Sequence, residues 1–295
     1  MNRLRAIKAQ YSLRQATHDI LATAQAALNG LNSVDPSGAI HDFRIAIKRW
    51  RALLRLLKES LGEETVVLRR EGLVFSREFG PSRDALAALD ALTSIIVSKG
   101  VDASSISKRT FATITNRLEE AQKASETVVY NAKSIQHIRD GVVHASSCTA
   151  TWPLEGIKLE KIIVALTRSY RRARRRLPSS WTKASSDEIH RFRKALVTLH
   201  YQLELIEPLW PKVSRRIMKE LQRVRLQLGK SNDLVILSQL TRPKKLMAAW
   251  RSRLTPLIEG QKQFHIKQVE VLAGRLLLEP PRSFQKRFDQ ACRTG

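Results

Sequence analysis

The sequence predicts an all-α protein built from two related halves, and three observations predict it. Segments rich in Ala, Leu, Arg, Gln and Glu place apolar residues at helical spacing, and alternating strand patterns closed by hairpin turns are missing. The ten prolines, at 36, 81, 153, 178, 208, 211, 243, 256, 280 and 281, fall where joints between helices are expected. Two short motifs also recur at one common offset, near half the chain length.

In chain order, helices are expected near 2–31, 38–60, 63–79, 83–99 and 104–146 in the first half. The second half is expected to continue with 155–177, 186–207, 211–228, 231–241, 244–277 and 282–292. With 295 residues and 43% hydrophobic content, the chain can bury one large core or two modest ones.

The duplication shows when "IHRFRKALVTLHYQLELI" at 189–206 is laid on "IHDFRIAIKRWRALLRLL" at 40–57. Ile189, His190, Phe192, Arg193, Ala195, Leu203 and Leu205 meet Ile40, His41, Phe43, Arg44, Ala46, Leu54 and Leu56 at an offset of 149 residues. At that same offset "GKSND" at 229–233 meets "GPSRD" at 80–84, pairing Gly80 with Gly229, Ser82 with Ser231 and Asp84 with Asp233. The chain therefore reads as a tandem duplication, 1–150 and 151–295, with its boundary near 148–154. Each motif glycine is expected to stop a helix and each aspartate to cap or brace the next. One carboxylate per half is a weak ligand set, so no metal or other cofactor is expected there.

Charge is the outlying property. Fifty-two Lys and Arg against 27 Asp and Glu give +25 and a pI near 10.8, a field that attracts polyanions. Part of that charge is organised: His41, Arg44, Lys48, Arg51 and Arg55 lie at steps of three and four residues along one stripe of a helix. Ile40, Phe43, Ile47, Trp50, Leu54 and Leu57 form an apolar stripe beside it, so one face seeks a core and the next carries cations. No acid relieves the cationic stripe between His41 and Arg55, and an anion is its natural counterpart. A solvated basic face has the same pattern, so the stripe alone leaves both readings open.

A histidine-led H-x-x-R-x-x-x-[K/R]-x-x-R helix, followed about forty residues later by G-x-x-[R/N]-D and occurring twice in an arginine-rich helical chain, resembles the CHAD family, the conserved histidine α-helical domain. The resemblance covers roughly 4–280. It implies two helical bundles related by a pseudo-twofold axis, with a basic central groove or pore that binds inorganic polyphosphate. It also implies that His41, Arg44, Lys48 and Arg51 supply one half of that surface, which Arg55 extends, and His190 and Arg193 the other. The second copy departs from the pattern, since Val197 stands in the place of Lys48 and His200 in that of Arg51. Either the two halves grip unequally, or Lys194 beside them, with Arg168, Arg171, Arg172 and Arg175 along one side of "TRSYRRARRRL" at 167–177, compensates. Arg174 and Arg176 are expected to splay elsewhere.

Polyphosphate is a linear polyanion without bases, so many spaced cations suffice to hold it. Arginine suits the task through its planar fork of donors. The stripe from His41 to Arg55 would span roughly 21 Å at the helical rise. The chain is not expected to be an enzyme: it has no G-x-x-x-x-G-K-[ST] loop, and few acids stand beside the stripe. Phosphate transfer or metal binding by His41 and His190 is the minority reading. Nucleic acid is the main alternative partner, with weak nonspecific binding expected from charge, but aromatics for stacking bases are only 6% of the chain.

Cys148 and Cys292 are far apart and outside any C-x-x-C pattern, which suits a reducing interior. With no leader-like apolar segment and no run of eighteen apolar residues, the chain is expected to be cytoplasmic, with no membrane partner. The resemblance adds an association with polyphosphate granules.

Overall fold

In a computed structural model the described residues are 2–33, 35–97, 106–129 and 132–294, with side chains described for these except 2–12, 80–83, 125–129, 155, 293 and 294. They form eleven α-helices: α1 (Asn2–Asn29), α2 (Pro36–Leu61), α3 (Glu64–Glu78), α4 (Gly80–Val97), α5 (Lys108–Val129), α6 (Ala132–Ala150), α7 (Leu159–Arg175), α8 (Ser186–Ile206), α9 (Pro211–Leu240), α10 (Arg251–Leu276) and α11 (Pro281–Thr294). No strand occurs among them, so the fold is all-helical as expected. No described helix is long and apolar enough to cross a membrane.

Both motif helices start from firm caps. The Asp35 carboxylate accepts from the Gly38 amide at 2.8 Å, with Pro36 in the first turn of α2. Ser185 and Glu188 make a reciprocal capping box at the start of α8, with bonds of 3.2 and 2.8 Å. At the far end of α2, Gly62 takes φ +73°, a left-handed conformation that leaves the helix without a Cβ penalty.

Two apolar clusters hold the helices together. The larger draws on α1, α2, α3, α6, α7, α8, α11 and parts of α9 and α10, so residues on both sides of position 150 share it. Phe43 packs edge-on against Phe79 at 5.1 Å, and Trp50 stacks on Trp152 at 5.8 Å, which places the aromatics of the apolar stripe in the core. The smaller cluster joins α4 and α5 to the C-terminal part of α9 and the start of α10 through Leu92, Ile95, Ile114, Leu118, Leu234, Leu237 and Leu254.

Several expected boundaries differ. Gly229 does not stop a helix: α9 runs unbroken from Pro211 to Leu240. A mid-helix glycine costs only about 1 kcal/mol, and buried Leu228, Ser231, Leu234 and Leu237 carry the helix through it. Asp233 therefore lies inside a helix and Asp84 is the fifth residue of α4, so neither is a cap. Pro256 lies inside α10 rather than at a joint, and α10 begins at Arg251, after a turn and a 3-10 segment at Ala248–Trp250. The span expected as one helix at 104–146 contains two, α5 and α6. The expected helix ends at 99 and 104, and the side chain of Ser82, lie outside the described residues.

Candidate anion-binding site

α7 is sharply two-faced. Leu159, Ile162, Ile163, Leu166, Tyr170 and Ala173 are buried, while Arg168, Arg171, Arg172 and Arg175 project from the other side. The helix is fixed at its C-terminal end by two contacts to the α10–α11 corner. The Tyr170 hydroxyl donates to the Glu279 carbonyl at 2.9 Å, and Arg174 Nε donates to the Leu277 carbonyl at 3.1 Å. Burial, with Glu279 nearby, raises the Tyr170 hydroxyl to about 12, so it remains a donor.

The exposed face of α7 meets the cationic stripe of α2 and the adjacent face of α3. Together they line a cavity of about 440 Å³ bounded by Arg55, Lys58, Arg69, Arg168, Arg171, Arg172 and Arg175, with Glu59 the one acid among its lining residues. Arg172 and Arg175 also line a second cavity of about 790 Å³, which continues to Arg176 at the end of α7 and to Arg191 on α8. Sharing these two arginines, the cavities make a mostly basic track across three helices and onto a fourth, with Glu188 the acid that lines the second.

The cations repel one another. Arg55 is held well below its usual range, to about 10, first by burial and then by Arg172, Arg69, Arg51 and Arg176. Arg51 is lowered by burial, Arg69 and Arg77, and Arg172 by burial, Arg176, Arg69 and Arg175. Gly72 lets α3 lie close over this stripe: a Cβ there would stand 3.3 Å from Arg51 Cγ. Arg51 Nε is buried with no hydrogen-bond partner among the described residues.

The expected site residues are therefore divided. Arg55, Arg168, Arg171, Arg172 and Arg175 line one cavity, and Arg51 lies one turn before Arg55 on the stripe, close enough to lower its pKa but not lining the cavity. Arg44 and His41 do not line the cavity: His41 is exposed near the start of α2, and Arg44 donates to the carbonyls of Phe79 at 2.9 Å and Ser76 at 3.3 Å. Lys48 is half-buried on the stripe between Arg44 and Arg51 and does not line the cavity either. His190 and Arg193 line a separate cavity of about 360 Å³, with Asp84, Ser231, Asn232 and Lys262. There burial, Lys194 and Arg193 lower the His190 pKa against a hydrogen bond from the ring to Asn232 and the nearby Asp187, so the ring favours its neutral form.

Arg69, Arg77, Arg176, Lys58 and Arg191 were missed. Arg69 and Arg77 lie eight residues apart, just over two helical turns, but Glu71 and Glu78 between and beside them give α3 the look of a solvated mixed-charge helix. Arg176, expected to splay away, returns to the cluster because it is the C-cap of α7, where the backbone leaves the helix at φ −101°, ψ 1°.

The molecule so described is an all-helical protein whose arginines converge on one open cavity. Residues 12–242 match the model of the CHAD domain, and the chain belongs to that family. It is also similar to the crystal structure of the CHAD domain from the plant Ricinus communis: TM-score 0.60, 16% identity, 97% of this chain and 92% of that one covered. A search of curated proteins finds no match.

Proposed function

We propose that the protein binds inorganic polyphosphate in the basic track between α2, α3 and α7. The observation that carries this reading is Arg55, a half-buried guanidinium lining the cavity and lowered to about 10, first by burial and then by arginines on α7, on α3 and on its own helix. A fold that gathers like charges in this way gains from any dense anion that neutralises them. Membership of the CHAD family supports polyphosphate as that anion, and a linear chain suits an elongated track better than a single phosphate does.

The duplicated sequence supports a one-sided grip. At the offset of 149 residues Arg51, Arg55, Arg69 and Arg77 correspond to His200, Glu204, Met218 and Leu226, while Arg168 and Arg172 correspond to Asp19 and Thr23. If the halves are two bundles related by a pseudo-twofold axis, the second has lost the equivalent track. Glu204 pairs instead with Arg49 of α2.

The role we propose is binding without turnover, in the cytoplasm and at polyphosphate granules. Calorimetric titration of long-chain polyphosphate at physiological salt tests it, with single-stranded RNA of matched charge as competitor. Polyphosphate should bind far tighter than RNA, and the preference should vanish in Arg55→Gln/Arg69→Gln/Arg172→Gln. Affinities that merely follow charge density would overturn the reading in favour of a general polyanion binder.

A further inference from the structure

The stripe of α2 does not end at Arg55. Its next position, one turn on, is Glu59, which lines the arginine cavity and pairs with Arg168 of α7. About half of each side chain is open to solvent, at 48% for Glu59 and 51% for Arg168. An ion pair so exposed contributes little to stability, typically about 0–1 kcal/mol. The α2–α7 contact has a better source in buried Leu54, Leu57, Ile162 and Leu166 of the main core. As a brace Glu59 is nearly superfluous, yet it puts the one lining carboxylate of this cavity against a cation that lines the same cavity.

We infer that Glu59 is a tethered competitor for the phosphate site: it occupies Arg168 in the free protein and must be displaced when a polyanion enters. Resting on the proposed polyphosphate reading, it makes Glu59 a residue that sets affinity and discriminates against weakly charged anions. A single orthophosphate would have to displace a carboxylate of high effective concentration, whereas a chain is already held by Arg55, Arg69 and Arg172 when it reaches Arg168. It also leaves a mark on salt dependence. Displacing Glu59 leaves its charge in the complex, so the bound chain meets one fewer net positive charge than the arginines alone would supply.

Glu59→Gln keeps the shape and removes the charge. Calorimetry with long-chain polyphosphate over a salt series should show that variant binding about two- to fivefold tighter than the native protein. The slope of log affinity against log salt should steepen by roughly 0.7–0.9. Most of the gain should disappear in an Arg168→Gln background, where only the effect of the extra net charge remains. If Glu59→Gln binds no tighter, or more weakly, while the native protein binds polyphosphate, the competitor role is overturned and the functional reading stands. If the gain is undiminished without Arg168, Glu59 acts only through general charge and the competitor role again falls. A native protein that binds no polyphosphate overturns both.

Discussion

Arg44 reaches from the motif helix to the carbonyl of Phe79, 2.9 Å away, at the point where α3 ends and α4 begins. The same nitrogen lies 3.3 Å from the Ser76 carbonyl. Carbonyls at a helix C-terminus lack intrahelical partners and carry partial negative charge, so a guanidinium satisfies both needs. This arginine of the family-like motif thus braces a corner. Arg44→Met should destabilise the protein by about 1.5–3 kcal/mol, the range for hydrogen bonds to a charged group. Urea unfolding checks it, and polyphosphate affinity should fall less than in variants of Arg55.

Arg55→Met should do the reverse. The substitution retains much of the alkyl packing and removes a charge that burial and four neighbouring arginines disfavour. The free protein should gain about 1–2 kcal/mol in urea unfolding, while polyphosphate affinity falls at least about tenfold, the signature of a site kept at a cost to stability. Loss of both stability and binding would show Arg55 to be a packing residue.

These two arginines show what the sequence made legible. Spacing revealed the stripe, the core aromatics Phe43 and Trp50 and the arginines of α7, because each follows from helical periodicity. It could not tell Arg44 from Arg55, which share the stripe one helical face apart from the core. Their difference lies in what comes to rest against them, the end of α3 for one and the exposed face of α7 for the other. Arg69 and Arg77 were hidden for a related reason: on a helix with acids at 71 and 78, only the docking of α3 on α2 shows which charges face inward. Gly229 misled because glycine marks a helix end only when nothing beyond it supplies packing.

Close packing of α3 on α6 gives a further test. A Cβ on Gly141 would lie 2.2 Å from Cζ of buried Phe75, far inside contact distance. Gly141→Ala should therefore lower stability by about 1–3 kcal/mol despite its higher helix propensity, as overpacking does. Adding Phe75→Leu should recover part of the loss, read as non-additivity in thermal unfolding of the single and double variants.

His200 gives the pH dependence its sign. Burial, then Arg225 on α9 and Arg49 on α2, push the ring down to about 4, although Glu204 on its own helix lies 3.9 Å away. Its Nδ1 is buried without a hydrogen-bond partner among the described residues. In the unfolded chain the ring titrates near 6.5, so between pH 6.5 and about 4 the unfolded state holds a proton that the folded state lacks. Stability from this group is fully present above pH 6.5 and is lost as pH falls toward 4, about 3 kcal/mol in all. His200→Phe, which keeps a ring against Tyr201, should flatten the stability profile over that window relative to the native protein, and taking the difference cancels the carboxylates that titrate nearby. Parallel profiles for the two proteins would mean that the ring is already protonated in the fold, with Glu204 rather than the arginines setting its charge.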